Sequence, residues 1–231
     1  MEKETLLDKI TKVVTIAGNF IMMNLLFLVA CLPVVTMGQA WSGLISAVRY
    51  NIRGDKWLDG FKVGFKKRFW RGTIAWIIML LATAITVFDL LTYTAVDTFN
   101  TQVIINLIAA CLMFALVSGL TVALLFLDVY IPTATGQWIR NAVNMVFKAP
   151  LQLAVSGVLL WLPLLLAFFY FNIFYYCIMI FVAAYFTLAI LCVTMLMKDT
   201  LIFYLLEARA NGTLLKEEGK LSDEDEDDGE I

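Results

Sequence analysis

Histidine is absent from the 231 residues, and cysteine and proline are scarce, with four of each. Histidine is the commonest metal ligand and general acid–base group near neutral pH, so its absence removes the usual centre of both chemistries. Patterns typical of P-loop, dinucleotide-binding, serine-hydrolase and zinc-protease sites are missing too. The cysteines lie in apolar segments without CxxC spacing: Cys31, Cys111, Cys177 and Cys192. We therefore predict no catalysis, no metal centre and no cofactor, and we expect no nucleic-acid partner.

Charge is the second scarcity. Only 16% of the residues are charged and 61% are apolar, whereas soluble domains average about 25% and about 45–50%. No charged residue occurs in 13–48, 72–88, 98–127 or 149–197. Because a transmembrane helix needs about 20 apolar residues, the sequence predicts an all-α, polytopic membrane protein whose helical domain covers residues 1–210.

Five spans are predicted, at about 13–32, 73–91, 103–127, 151–169 and 174–197. Pro33 should end the first, because proline lacks the donor that a continuing helix needs. Residues 34–48 are also uncharged, but roughly 15 residues are too short to cross a core of about 30 Å. This piece is expected to be re-entrant, interfacial or buried against other helices.

The linker 49–71 carries eight basic and two acidic residues, which predicts a cytoplasmic location. The basic residues near 140–148 and 198–209 indicate the same side for the linker between the third and fourth spans, which is the second basic linker, and for the C-terminus. Five spans then place the N-terminus outside. If 13–48 is instead a hairpin that returns to its own side, four full spans remain and both termini are cytoplasmic.

Aromatic residues recur every four positions in the basic linker, at Trp57, Phe61, Phe65 and Phe69. This spacing favours an amphipathic helix lying on an anionic leaflet, and a solvated loop is the alternative. The candidate membrane-surface contacts are Trp57, Phe61, Lys62, Phe65, Lys66, Lys67 and Arg68.

Two segments look alike: residues 33–41 begin with proline and end Gly-Gln-Ala-Trp, and residues 132–138 begin with proline and end Gly-Gln-Trp. They support the hypothesis of a parallel span-linker-span repeat plus one extra helix, with chance similarity as the alternative. The final segment, 211–231, is strongly acidic, and a run of like charges predicts a disordered tail.

Polar residues within apolar segments are the default candidates for function in a membrane protein. Here they cluster around the first helix break: Asn24, Pro33, Thr36, Gly38 and Gln39. A broken helix exposes backbone polarity at membrane depth, where transporters build solute sites. The same residues could equally serve helix capping and close helix packing.

The stretch from Asn24 through Pro33-Val34-Val35-Thr36-x-Gly38 to Arg49-Tyr50, then Gly60-Phe61 and Phe65-Lys66-Lys67-x-Phe69, resembles the YesL-like family, also called DUF624. That family consists of bacterial membrane proteins of about this size without an assigned molecular activity. Its members are often encoded near carbohydrate ABC transporters and glycan-degrading enzymes. The resemblance implies a multi-pass protein of the bacterial cell membrane.

Two functions follow as hypotheses. The first is an accessory or regulatory component linked to carbohydrate uptake or sensing, which binds the lipid bilayer and a membrane partner such as a carbohydrate ABC transporter or a sensor kinase. The second is a small solute carrier with its site at the helix break 33–39, working alone or as a homo-oligomer.

Overall fold

The computed structural model of the chain describes residues 6–67, 69–94, 101–169 and 184–212. This part of the chain contains eight α-helices and a short 3-10 helix at Val34–Thr36. The predicted all-α class is therefore confirmed. The α-helices are α1 Leu6–Ala30, α2 Met37–Arg53, α3 Trp57–Lys66, α4 Phe69–Thr94, α5 Thr101–Tyr130, α6 Thr135–Lys148, α7 Pro150–Phe169 and α8 Phe186–Ala210.

Three helices are long and apolar enough to cross a membrane, and they contain Phe69–Asp89, Val103–Tyr130 and Phe186–Ala210. Helices α6 and α7 pass the same test only together, with a bend of 103° between them, so the described residues hold three or four candidate spans. The span predicted at 13–32 falls largely within α1, a helix of 25 residues, in which Val14–Ala30 form a shorter apolar stretch. The turn predicted at 169–174 and the first part of the predicted span 174–197 lie largely outside the described residues.

Helices α1 and α2 form a hairpin. The ring centroids of Phe27 and Trp41 lie 4.8 Å apart near the turn, and the Asn19 amide donates a 3.3 Å hydrogen bond to the side chain of Asn51 farther along both arms. The chain therefore returns toward the end from which α1 came. This arrangement agrees with the alternative topology, in which residues 13–48 form a hairpin that returns to its own side.

Helix α2 is buried from Gly38 to Val48 without interruption. Of the three alternatives for residues 34–48, the structure therefore supports burial against other helices. Small residues recur along this stretch, as Gly38, Ser42, Gly43, Ser46 and Ala47, and they allow neighbouring backbones to approach on several sides.

Helix α3 packs closely against α2. A methyl group added to Gly60 would lie 2.7 Å from the Tyr50 ring, and one added to Gly64 would lie 2.5 Å from the backbone oxygen of Ser42. Gly60 and Gly64 of α3, four residues apart, thus face Ser42 and Ser46 of α2, which are also four residues apart. This small-residue contact brings the helix axes together, as in many membrane helix pairs.

A break separates α6 from α7 at Ala149, whose φ of −134° and ψ of 52° are not helical. Proline at position 150 explains it, because proline disfavours helical backbone in the preceding residue while suiting the first turn of a new helix. In the first half of the chain the short helix α2 stands between the long helices α1 and α4, with α3 as an additional helix. In the second half the short helix α6 stands between the long helices α5 and α7. The predicted parallel repeat stays a prediction, since this order alone does not establish it.

Candidate functional site

A buried ion pair joins the start of α4 to the end of α5. Nη1 of Arg71 lies 3.1 Å from Oδ1 of Asp128, and the two side chains are only 11% and 6% exposed. Each charge has lost most of its hydration, so the pair is stable only if further polar groups surround it. The contact also fixes the first turn of α4 and the last turn of α5 at the same end of the bundle.

The segment after α5 supplies those polar groups. Nη2 of Arg71 donates to the backbone oxygen of Thr133 and to Oγ1 of Thr135, both at 3.0 Å. The guanidinium lies 5.1 Å from the centre of the Trp138 ring, within cation–π range. Trp138 is itself fixed by a 2.9 Å hydrogen bond from Nε1 to the backbone oxygen of Leu124.

A second arginine reaches the same end of α5 from α2. Nη1 of Arg49 donates to the backbone oxygen of Val129 at 3.0 Å, and its guanidinium lies 5.0 Å from the Tyr130 ring centre. The last carbonyls of a helix have no partner within it and carry partial negative charge, so a cation is favourable there. We name this cluster the α5 junction: Arg49, Arg71, Asp128, Thr133, Thr135 and Trp138.

The α5 junction ties α2, α4, α5 and α6 together: Arg71 and Asp128 are directed at each other, and Arg49 is directed at the last turn of α5. This cluster was not predicted from the sequence, although the sequence contains a signal for it. Arg71 and Asp128 each border an uncharged stretch, so antiparallel spans place them at one end of the bundle. Opposite charges at matched span ends are candidates for a pair.

Asn24, the first predicted site residue, is fully buried and faces α8. Its Oδ1 accepts a 3.3 Å hydrogen bond from the backbone N–H of Thr187. The Thr187 hydroxyl in turn donates to the backbone oxygen of Phe20 at 3.2 Å. Asn24 therefore connects α1 to the first turn of α8.

Thr36 caps the end of α1. Its hydroxyl lies 2.7 Å from the backbone oxygen of Ala30 and 2.8 Å from that of Pro33, within hydrogen-bond distance of both. These carbonyls lie where the helix ends, and without Thr36 they would lack this donor. Pro33 is itself exposed, between the exposed apolar residues Leu32 and Val34.

Gly38 and Gln39 face the start of α4. A methyl group on Gly38 would overlap the backbone oxygen of Gly72. The Gln39 amide nitrogen donates to the backbone oxygen of Phe69, while its buried Oε1 has no hydrogen-bond partner among the described residues. Asn24 and Gln39 are thus held by different helices, and these contacts do not unite the five predicted residues in one site.

The predicted membrane-surface residues lie on different sides of α3. Phe61 is buried against Gly43 of α2, and Trp57 and Phe65 are half-buried. Lys62 and Lys66 are exposed. The aromatic stripe thus packs mainly toward the protein, while the basic residues face outward. Lys67 is half-buried and Arg68 lies outside the described residues.

Within the ranges described, no group of three or more His, Cys, Asp or Glu side chains is placed to hold a metal ion. Cys31, Cys111 and Cys192 are free thiols.

Apolar helices long enough to span a bilayer, joined at one end by a buried ion pair, define a helical integral membrane protein with several candidate spans. Residues 20–90 match the family described as "Protein of unknown function, DUF624". The predicted resemblance is therefore confirmed over this segment, which holds the second half of α1 from Phe20 onward, all of α2 and α3, and most of α4. No curated protein and no solved structure matches the chain.

Proposed function

We propose that this chain is a non-catalytic accessory or regulatory protein of the bacterial cell membrane, linked to carbohydrate uptake or sensing, that acts by binding a membrane-embedded partner. The observation that carries this proposal is the internal use of the polar groups at the helix break. Thr36 caps α1, Gly38 packs on Gly72, and Gln39 binds the backbone of Phe69. A break filled by such contacts serves as a structural joint. The link to carbohydrate uptake rests on the family resemblance alone.

The same proposal assigns no catalytic role to the buried charges. Arg71 and Asp128 bind each other, and Arg71 also binds Thr133 and Thr135. Carboxylates that act as acids or bases need access to a substrate proton, and Asp128 is directed at a guanidinium. This arrangement supports a role in stability.

We place both basic linkers and both termini in the cytoplasm. Three contacts support this topology. Arg71 with Asp128 brings the start of α4, after the first basic linker, beside the end of α5, before the second. Asn19 with Asn51 brings α1 beside the first basic linker, and Lys148 with Phe203 brings α8 beside the second. An excess of lysine and arginine in short linkers is typical of the cytoplasmic side.

One observation favours the alternative, a small solute carrier. Oε1 of Gln39 is buried without a hydrogen-bond partner among the described residues, and such a group is stabilised by any donor that reaches it. A carrier would use it to bind a hydroxyl or amine of a solute at the 33–39 break.

The deciding experiment is affinity purification of the tagged full chain from its native membrane in a mild detergent, followed by quantitative mass spectrometry. We expect one membrane partner at near-equal amount, absent from a matched purification of an unrelated multi-pass protein. Recovery of the chain without a stoichiometric partner would contradict the proposal. Solute uptake that is lost in Gln39→Leu, with the protein still folded, would establish the carrier instead.

A further inference from the structure

Helix α6 has three distinct faces. Trp138, Ala142 and Met145 are buried against the rest of the protein. Ile139, Val143 and Phe147 form a second stripe, four residues apart, with exposures of 49%, 38% and 79%. A third, polar stripe consists of Arg140, Asn144 and Lys148, all exposed. A water-facing helix needs no second apolar stripe beside the one that packs on the core.

The direction of α6 explains where the second stripe can be buried. Helix α7 is apolar and 20 residues long, which is enough by itself to cross a core of about 30 Å, and α6 meets it at 103°. A helix perpendicular to a spanning helix lies in the plane of the membrane. Leu151, 77% exposed in the first turn of α7, continues the apolar surface where α7 enters the bilayer.

Two anchors keep α6 in this orientation. The Trp138 indole hydrogen-bonds to Leu124 of α5, and Arg71 of the buried ion pair donates to Thr135 in its first turn. The orientation is therefore set by the α5 junction, and the exposed stripes do not depend on a lipid contact for their placement.

The charge of α6 specifies the chemistry of what it contacts. The helix carries Arg140 and Lys148 and no acidic residue. Basic residues beside an apolar stripe are typical of helices that insert shallowly into an anionic leaflet, with cations at the headgroups and apolar side chains at the acyl boundary. Nζ of Lys148 also lies 4.3 Å from the Phe203 ring centre. This contact with α8 holds the amine at the end of α6, beside the start of α7.

We propose that α6 is an in-plane helix that binds the anionic phospholipid leaflet on the basic side of the protein, with Ile139, Val143 and Phe147 inserted and Arg140 and Lys148 at the headgroups. The predicted lipid-surface helix was α3. Helix α6 has the clearer lipid-binding geometry, because its exposed apolar stripe is not used for internal packing.

Depth measurement tests the insertion. In a background with all four cysteines replaced by alanine, Phe147→Cys and the matched control Asn144→Cys would each carry an environment-sensitive fluorophore, in nanodiscs containing phosphatidylglycerol. We expect a nitroxide on the upper acyl chain to quench the probe at 147 severalfold more than the probe at 144. Equal quenching of the two probes by the nitroxide would overturn the proposal, and so would quenching of the probe at 147 by aqueous iodide but not by the nitroxide. Either result would indicate a face that contacts water or a protein.

Lipid selectivity tests the charges. Purified protein exposed to mixed phosphatidylglycerol and phosphatidylcholine would be examined by native mass spectrometry for retained lipid. Arg140→Gln with Lys148→Gln should lower the preference for phosphatidylglycerol, by roughly fivefold for each charge that lies at the surface. Arg140→Lys with Lys148→Arg should keep it. An unchanged preference in the glutamine variant would refute the assignment, provided that gel filtration shows a folded protein.

Discussion

The guanidinium of Arg71 and the carboxylate of Asp128 lie 3.1 Å apart inside the protein, although 57 positions separate them in the sequence. The pair links two antiparallel helices at the point where the loop after α5 begins. A buried charge whose partner is removed keeps its desolvation cost without the compensating attraction.

We therefore expect Asp128→Asn and Arg71→Leu each to destabilise the protein by about 3–5 kcal/mol. The double variant Arg71→Leu with Asp128→Asn should be less destabilised than the sum of the two single changes, because it leaves no unpaired charge. Thermal unfolding of purified protein in detergent measures the stability of all three variants.

As a control, Lys62→Gln disrupts an exposed pair with Asp59 at 4.0 Å and should change stability by less than about 1 kcal/mol. Additive losses in the double variant would mean that the pair is not coupled.

The glycine contacts of α2 give a second prediction. Gly38→Ala and Gly64→Ala would each place a methyl group against a neighbouring helix, so we expect losses of about 1–3 kcal/mol or more from overpacking. Gly18→Ala is the matched control, since a methyl group there meets no atom within 4 Å and should stabilise helix α1 by up to about 1 kcal/mol. Denaturation in detergent compares the three, and equal effects at Gly18 and Gly38 would contradict the close contact.

Thr36 provides a third prediction, which also separates a cap from a solute ligand. Thr36→Val removes the hydroxyl near the carbonyls of Ala30 and Pro33 and should cost about 1 kcal/mol. Thr36→Ser keeps the hydroxyl and should retain most of the stability. Partner recovery in mild detergent should be the same for both variants once they are folded. Loss of solute uptake in Thr36→Val without any loss of stability would instead indicate a binding role.

The topology is tested by reporter fusions to each terminus. Green fluorescent protein fluoresces when it folds in the bacterial cytoplasm, and alkaline phosphatase is active only outside it. We expect fluorescence and no phosphatase activity at both ends, because in the proposed topology the α1–α2 hairpin returns to its own side. An active phosphatase at the N-terminus, with a fluorescent C-terminal fusion, would restore the five-span arrangement.

The uncharged stretches were enough to predict the helical membrane class, because burial in lipid leaves long runs without charge. They could not distinguish a span from one arm of a hairpin. Residues 13–32 are apolar in either case, and the contacts that reverse the chain, such as Asn19 with Asn51, join residues far apart in the sequence. The candidate residues Asn24, Thr36 and Gln39 were identified by their polarity. The partners of Thr36 are local, whereas those of Gln39 and Asn24 depend on the packing of α4 and α8.

The aromatic repeat in α3 shows a further limit. Phe61 and Phe65 have the spacing that serves a lipid surface, but the same spacing serves a helix–helix contact, and the glycines beside them decide between the two. The acidic tail predicted from residue 211 lies outside the described residues apart from Asn211 and Gly212, so its disorder stays a prediction.

The contact between Asn24 and Thr187 has a consequence for biosynthesis, because its two members are 163 positions apart. A ribosome makes α1 first and α8 last, so the buried amide of Asn24 must wait for almost the whole chain before it meets this partner. During that interval the first hairpin depends on temporary neighbours, such as lipid, the insertion machinery or a chaperone. We expect chains truncated before residue 184 to be degraded more quickly than complete ones, and pulse-chase labelling would reveal the difference.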